Sequence, residues 1–156
     1  MTKLRELGIR ENFIRDASPY TAITVPELDL SWNNISDFRS FGDKLGNGID
    51  RLVADWQKLV IDGGKPEKTN VVTLPEVFAP DGTKIQLNAV DISERGANVV
   101  ISGDTATITA TGDENPEGLF QIAEAEYEIA NVSLSFDVYV ALFELDPAEP
   151  VEPAEP

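Results

Sequence analysis

The spacing of apolar positions changes character along the chain. Over residues 1 to 16, Leu4, Leu7, Glu11 and Ile14 fall near one helical face with Arg5, Arg10 and Arg15 elsewhere, which predicts a short amphipathic helix weakened by Gly8. Ser18-Pro19 breaks it, and the stretch from Tyr20 to Leu30, with Pro26 inside, reads as an extended connector anchored by Ile23, Val25, Leu28 and Leu30. Residues 1–35 are therefore expected to form a helix and connector. Over residues 36–64 the apolar set Phe38, Phe41, Leu45, Ile49, Leu52, Val53, Trp56 and Val60 recurs at spacings of three and four. Ser36 is the candidate cap, and Gly63-Gly64 followed by Pro66 is the stop. This predicts an amphipathic helix with Trp56 buried against a sheet or another copy. Gly42, Gly46 and Gly48 oppose it, so the helix either starts near Ile49 or makes a close contact through small residues.

From Asn70 the period becomes two, and residues 70–145 read as a β-sheet domain. Residues 71 to 78 form a candidate edge strand interrupted by Pro75. Pro80-Asp81-Gly82 is a turn, and residues 84 to 92 alternate until the apolar set changes face at Val90. Residues 99–102 and 105–111 flank Gly103-Asp104 as a hairpin. Residues 119–145 change face near Ala130-Asn131, which predicts two strands of a sandwich or barrel. Residues 146–156 repeat Pro, Glu and a small apolar residue with period three, the signature of a polyproline arm. The expected fold class is α+β: a helical and extended N-terminal segment, an antiparallel β-sandwich or barrel-like domain, and the arm.

Charge alters this picture more than length does. The chain has 156 residues, 42% of them hydrophobic, enough to bury a core. Its formal charge is −16, and all 12 Lys and Arg lie within residues 1–95, leaving 13 acidic and no basic residues after Arg95. Nucleic-acid binding needs a basic face and is disfavoured; a basic protein surface is the expected partner. No stretch approaches the ~20 apolar residues of a membrane span. Residues 1–15 contain no apolar signal-peptide centre, so synthesis in a cytoplasm is expected.

There is no Cys and no His. Triads, thiol nucleophiles and His- or Cys-ligated metals are thereby excluded. Oxygen chemistry remains, and the sharpest motif is Asp113, Asn115, Glu117, Gly118 and Glu124, which matches positions 1, 3, 5, 6 and 12 of a calcium loop. Asp113, Asn115, Glu117 and Glu124 are the candidate calcium ligands, although Glu at position 5, Pro116 and flanking strands depart from the pattern. Any calcium binding there is expected to be weak. Glu124, Glu126 and Glu128 form a carboxylate comb on one strand face, parallel rather than flanking a bond, so catalysis is not expected from it.

The absence of Cys and His, the Thr-rich hairpin Thr105-Ala106-Thr107-Ile108-Thr109-Ala110-Thr111, the extended linkers and the terminal arm resemble the style of tailed-bacteriophage virion proteins, such as capsid decoration, cement, tail or fibre components. That resemblance implies a non-enzymatic structural role in a virion after synthesis in the host cytoplasm, other virion proteins as partners, and homo-oligomers, with no cofactor. The alternatives are an acidic DNA-mimic inhibitor and a carboxylate-based enzyme.

Overall fold

The computed structural model describes residues 6–144. Three segments run parallel, each returning to the same register. β1 (Glu6–Gly8) pairs with β2 (Val25–Asp29), which pairs with β3 (Ile49–Gly64). Leu7 stands beside Leu28 and Leu28 beside Leu52, so successive turns advance 21 and then 24 residues. The equivalent positions of each turn follow one pattern, buried in the second and third turns and more open in the first: Leu7, Ile9, Asn12, Ile14; Leu28, Leu30, Asn33, Ile35; Leu52, Ala54, Gln57, Leu59. The pattern L-x-L-x-x-N-x-L at this period resembles that of leucine-rich repeats, whose strands are each followed by a helical or 3-10 turn. Such turns occur at Ser18–Ala22 and Arg39–Phe41.

The amides of Asn33 and Gln57 knit these turns together. Asn33 Oδ1 accepts the backbone N–H groups of Asn12 (2.9 Å) and Ile14 (3.0 Å), while Nδ2 donates to the carbonyls of Ile9 (2.8 Å) and Leu30 (2.9 Å). Gln57, fully buried, repeats the device one turn on, accepting from Ile35 N–H (3.0 Å) and donating to the Leu30 carbonyl (2.8 Å). Loop backbone polar groups that would otherwise be buried without partners are satisfied in this way.

The rest of the chain closes the solenoid with antiparallel structure. β9 (Val132–Leu142) lies parallel on the free edge of β3, and β8 (Gly118–Ile129) forms a hairpin with it, so the six-stranded order is β1-β2-β3-β9-β8-β5, where β5 is Asn88–Ala89. A second sheet of three antiparallel strands has β7 (Thr105–Ala110) between β4 (Thr69–Thr73) and β6 (Ala97–Ser102). One continuous apolar cluster joins the two sheets and the solenoid turns, from Leu28, Phe38 and Leu52 to Ile108, Ile122, Phe136 and Leu142.

Several expectations are corrected here. The described residues contain no α-helix, so the chain is nearly all β and not α+β. The helix expected over residues 1–16 gives way, from Glu6 on, to β1 and an extended loop. The helix expected over residues 36–64 is a 3-10 turn followed by the sixteen-residue β3. Its helical spacing is produced by a bulge between Ala54 and Gln57, which joins two alternating runs, Leu52/Ala54 and Gln57/Leu59, out of phase. Trp56 sits in that bulge and is half exposed rather than buried. The hairpin around Gly103-Asp104 and the reversal at Ala130-Asn131 are where the alternation places them. The polyproline arm at 146–156 lies outside the described residues.

Candidate functional site

The outward face of the six-stranded sheet is where the solenoid turns and the β8–β9 hairpin combine. Strand alternation sends Asp29, Val53 and Asp55 outward from the solenoid, Ser133, Ser135 and Asp137 from β9, and Glu124, Glu126 and Glu128 from β8. Register then sets Ser135 beside Glu126 and Ser133 beside Glu128. Asp55 is held at the centre. Its backbone N–H donates to Ser31 Oγ (3.0 Å), and its carboxylate accepts Ser133 Oγ–H (2.9 Å).

Next to Asp55 two tryptophans stack. The rings of Trp32 and Trp56 are 4.8 Å apart at 22°, and the residues are 45% and 48% exposed. They occupy the same position in successive turns, one residue before Asn33 and Gln57, and the Trp32 N–H donates to the Asp55 carbonyl (2.9 Å). Both have left-handed backbone, φ 63° and 58°, as has Glu11 at the equivalent place in the first turn, φ 62°. Bulky residues in this region are strained by roughly 1–3 kcal/mol each, and such strain clusters at functional surfaces. A cavity of about 210 Å³ beside Trp56 is lined by Asp55, Glu126, Glu128, Ser133 and Ser135. An exposed indole flanked by carboxylates suits a cation, which gains both ring-face and charge attraction.

Asp137 lies further along this face, half-buried opposite Glu124, and accepts a hydrogen bond from Gln121 Nε2 (3.1 Å). Burial pushes its carboxyl above the usual range, partly offset by Gln121. A raised carboxyl favours the protonated form in the folded state. The folded protein therefore incurs a penalty that is absent below the ordinary pKa, grows as pH rises through the raised value and is constant above it. Asp137→Asn is expected to raise the melting temperature at neutral pH and to lose that advantage below about pH 3.9, the ordinary Asp value, in thermal scans across pH. A gain of equal size at both ends of the scan would contradict the assignment.

The calcium ligands suggested by the sequence do not converge. Asp113, Asn115 and Glu117 lie in the loop between β7 and β8, lining an open cavity of about 560 Å³ with Arg95. Glu124 lies seven residues beyond Glu117 along β8, ~23 Å away at the rise of an extended strand, and pairs with Asn88. Among the described residues no group of three or more acidic side chains is arranged to hold a metal ion. Glu124, Glu126 and Glu128 do form the exposed comb read from the alternation. The tryptophan pair was missed, although the paired signals Ser-Trp-Asn at 31–33 and Asp-Trp-Gln at 55–57 mark it.

No protein-family model matches the chain, and no curated protein matches it with significant similarity. Solved structures match its fold. One is described as the functional domain of InlJ from Listeria monocytogenes, which includes a cysteine ladder: TM-score 0.55, 17% identity, over 87% of this chain and 28% of that one. Another holds the CBM51-2 domain in complex with GlcNAc, and INT domains, from Clostridium perfringens ZmpB: TM-score 0.50, 18% identity, over 88% of this chain and 29% of that one. The chain thus spans less than a third of either molecule, and at these identities the likeness is one of fold.

Proposed function

We propose that this chain is a non-enzymatic interaction module that binds a basic protein segment on the outward face of its solenoid sheet. The observation that supports this most is the exposed Trp32–Trp56 stack, repeated at one position of successive turns and bordered by Asp55, Glu126 and Glu128. The charge of −16 draws a basic partner toward the whole molecule, and the tryptophans supply the specific contact. A virion is one setting for such a module; the reading of this face does not depend on it.

Titration of the purified chain with an octalysine peptide, followed by tryptophan emission, tests the reading. Saturable quenching that disappears at high salt is expected. Trp56→Ala should weaken binding about tenfold, the equivalent of ~1.4 kcal/mol. The same substitution should cost less than about 1 kcal/mol of stability, because the side chain is half exposed and its left-handed backbone is strained. Because one structural neighbour is described in complex with GlcNAc, a parallel titration with GlcNAc separates sugar stacking from cation binding. Emission indifferent to octalysine at low salt would retire the proposal.

A further inference from the structure

β3 is longer than the strand beside it. β2 pairs with its first half, and the loop after β2 extends the cover as far as Lys58, whose N–H donates to the Asn33 carbonyl (2.9 Å) and whose carbonyl accepts Asn34 Nδ2 (2.6 Å). Along a parallel strand, both backbone groups of a residue point to the same side and alternate residues point to opposite sides. Lys58 addresses the side away from β9, and so do Val60 and Asp62. Among the described residues no hydrogen bond reaches the N–H or C=O of Val60 or the backbone C=O of Asp62 on that side. An unpaired edge of this kind is a template for another strand.

The space beside that edge is shaped to hold one. A cavity of about 810 Å³ lies along it, walled by Val60, by Phe13 and Arg15 from the loop after β1, by Thr73 at the end of β4 and by Pro75 after it. Phe13 is 82% and Val60 54% exposed, so an incoming strand has apolar surface to cover at both sides. Arg15 and Lys58 both line the cavity and no carboxylate does, in a chain where acidic side chains outnumber basic ones 28 to 12. Lys58 is positioned over the Tyr139 ring, 4.7 Å from its centroid.

We propose that the open edge of β3 at Val60–Asp62 captures an extended peptide by strand addition, and that the peptide alternates apolar residues with carboxylates. Main-chain hydrogen bonds supply the affinity, Phe13 and Val60 receive the apolar side chains, and Arg15 and Lys58 select against a basic sequence. This site lies further along the same sheet face than the tryptophan pair, Lys58 standing beside Asp137 and Val60 beside Tyr139, and is opposite to the pair in charge preference.

The probe is a fluorescein-labelled hexapeptide, acetyl-Val-Glu-Val-Thr-Val-Glu-amide, titrated with the full chain and followed by anisotropy. Saturable binding is expected, together with slowed hydrogen exchange at the Val60 amide. Replacing both Glu by Lys in the peptide should abolish it. Val60→Pro removes one edge donor without touching the ladder to β9, and should weaken binding about tenfold, the loss of one backbone hydrogen bond. A peptide N-methylated at alternate amides makes the same test with the protein unaltered: one of its two methylation registers must fail to bind. Trp56→Ala should bind the peptide like the parent chain, so failure here and failure of the octalysine titration are distinguishable. Absence of binding at millimolar peptide, equal binding of the Lys peptide, or equal binding of both methylated registers would overturn the proposal. Self-association of the chain that Val60→Pro dissolves would overturn it in favour of a second copy as the occupant.

Discussion

Asn33→Ala is expected to destabilise the protein by about 3–4 kcal/mol, far more than the loss of a polar side chain usually costs. The side chain is 1% exposed and saturates four backbone groups, two N–H and two C=O, from two turns of the solenoid. Alanine removes all four partners and offers nothing in return. Each unsatisfied buried group costs roughly 1–3 kcal/mol, reduced where water can reach the outer loop. Asn33→Asp keeps the two acceptor contacts but places a charge where two carbonyls expect a donor, so it should be no better at neutral pH. Urea unfolding monitored by circular dichroism measures the difference; a loss below about 1 kcal/mol would mean that the ladder is not what holds the turns in register.

The consequence of that ladder is functional as well as structural. Trp32 and Trp56 immediately precede the two ladder amides, and their left-handed backbone is the kink, in the loop after β2 for Trp32 and in the bulge of β3 for Trp56, after which Asn33 and Gln57 point inward. A substitution that loosens the ladder therefore also releases the indole stack. Asn33→Ala should weaken octalysine binding without removing any side chain of the binding face, whereas Trp56→Ala does the reverse, sparing stability and losing binding.

Strand alternation was legible where a tight turn joins two antiparallel strands. The Gly103-Asp104 hairpin and the reversal at Ala130-Asn131 need only a local turn and a period of two. The solenoid was not legible by that route, because its pairing is between residues 21 and 24 positions apart and each of its strands contributes few inward residues. Bulges worsen the problem: a two-residue period interrupted once, as at Ala54 to Gln57, yields the three-and-four spacing of a helix. Aligning the chain with itself would have shown the repeat, since Leu7, Ile9 and Asn12 recur as Leu28, Leu30 and Asn33 and again, less purely, as Leu52, Ala54 and Gln57.

The same distinction governs the candidate site. Glu124, Glu126 and Glu128 are one strand's alternation and were readable, whereas the Trp32–Trp56 stack exists only because parallel turns bring distant residues side by side. The calcium motif shows the converse limit, since Asp113, Asn115 and Glu117 share one cavity and Glu124 lies apart along β8. Asp113 to Glu124 matches a loop whose ligands are brought together by curvature, and an extended strand from Gly118 removes that curvature.

Phe136→Ala is expected to cost about 3–5 kcal/mol, the range for truncating a fully buried aromatic. Phe136 is 0% exposed at the centre of β9, beside Gln57 of β3 and Ala125 of β8, with its ring 6.0 Å from that of Phe38. Phe38 belongs to the second solenoid turn and itself lies 6.3 Å from Phe41. Phe136 thus carries the packing from the hairpin into the solenoid, at the place where the bulge before Gln57 leaves β3 without regular pairing. Little can move in to fill the space, since the opposing backbone is held by Gln57's hydrogen bonds to Ile35 and Leu30. In a chain of 156 residues the loss should lower the melting temperature by roughly 6–20 °C, at about 2–4 °C per kcal/mol. Because the solenoid turns and both sheets share one apolar cluster, the variant should still melt in one step. Two separate transitions, one near the parent's melting temperature, would show that the two halves fold independently and that Phe136 does not join them.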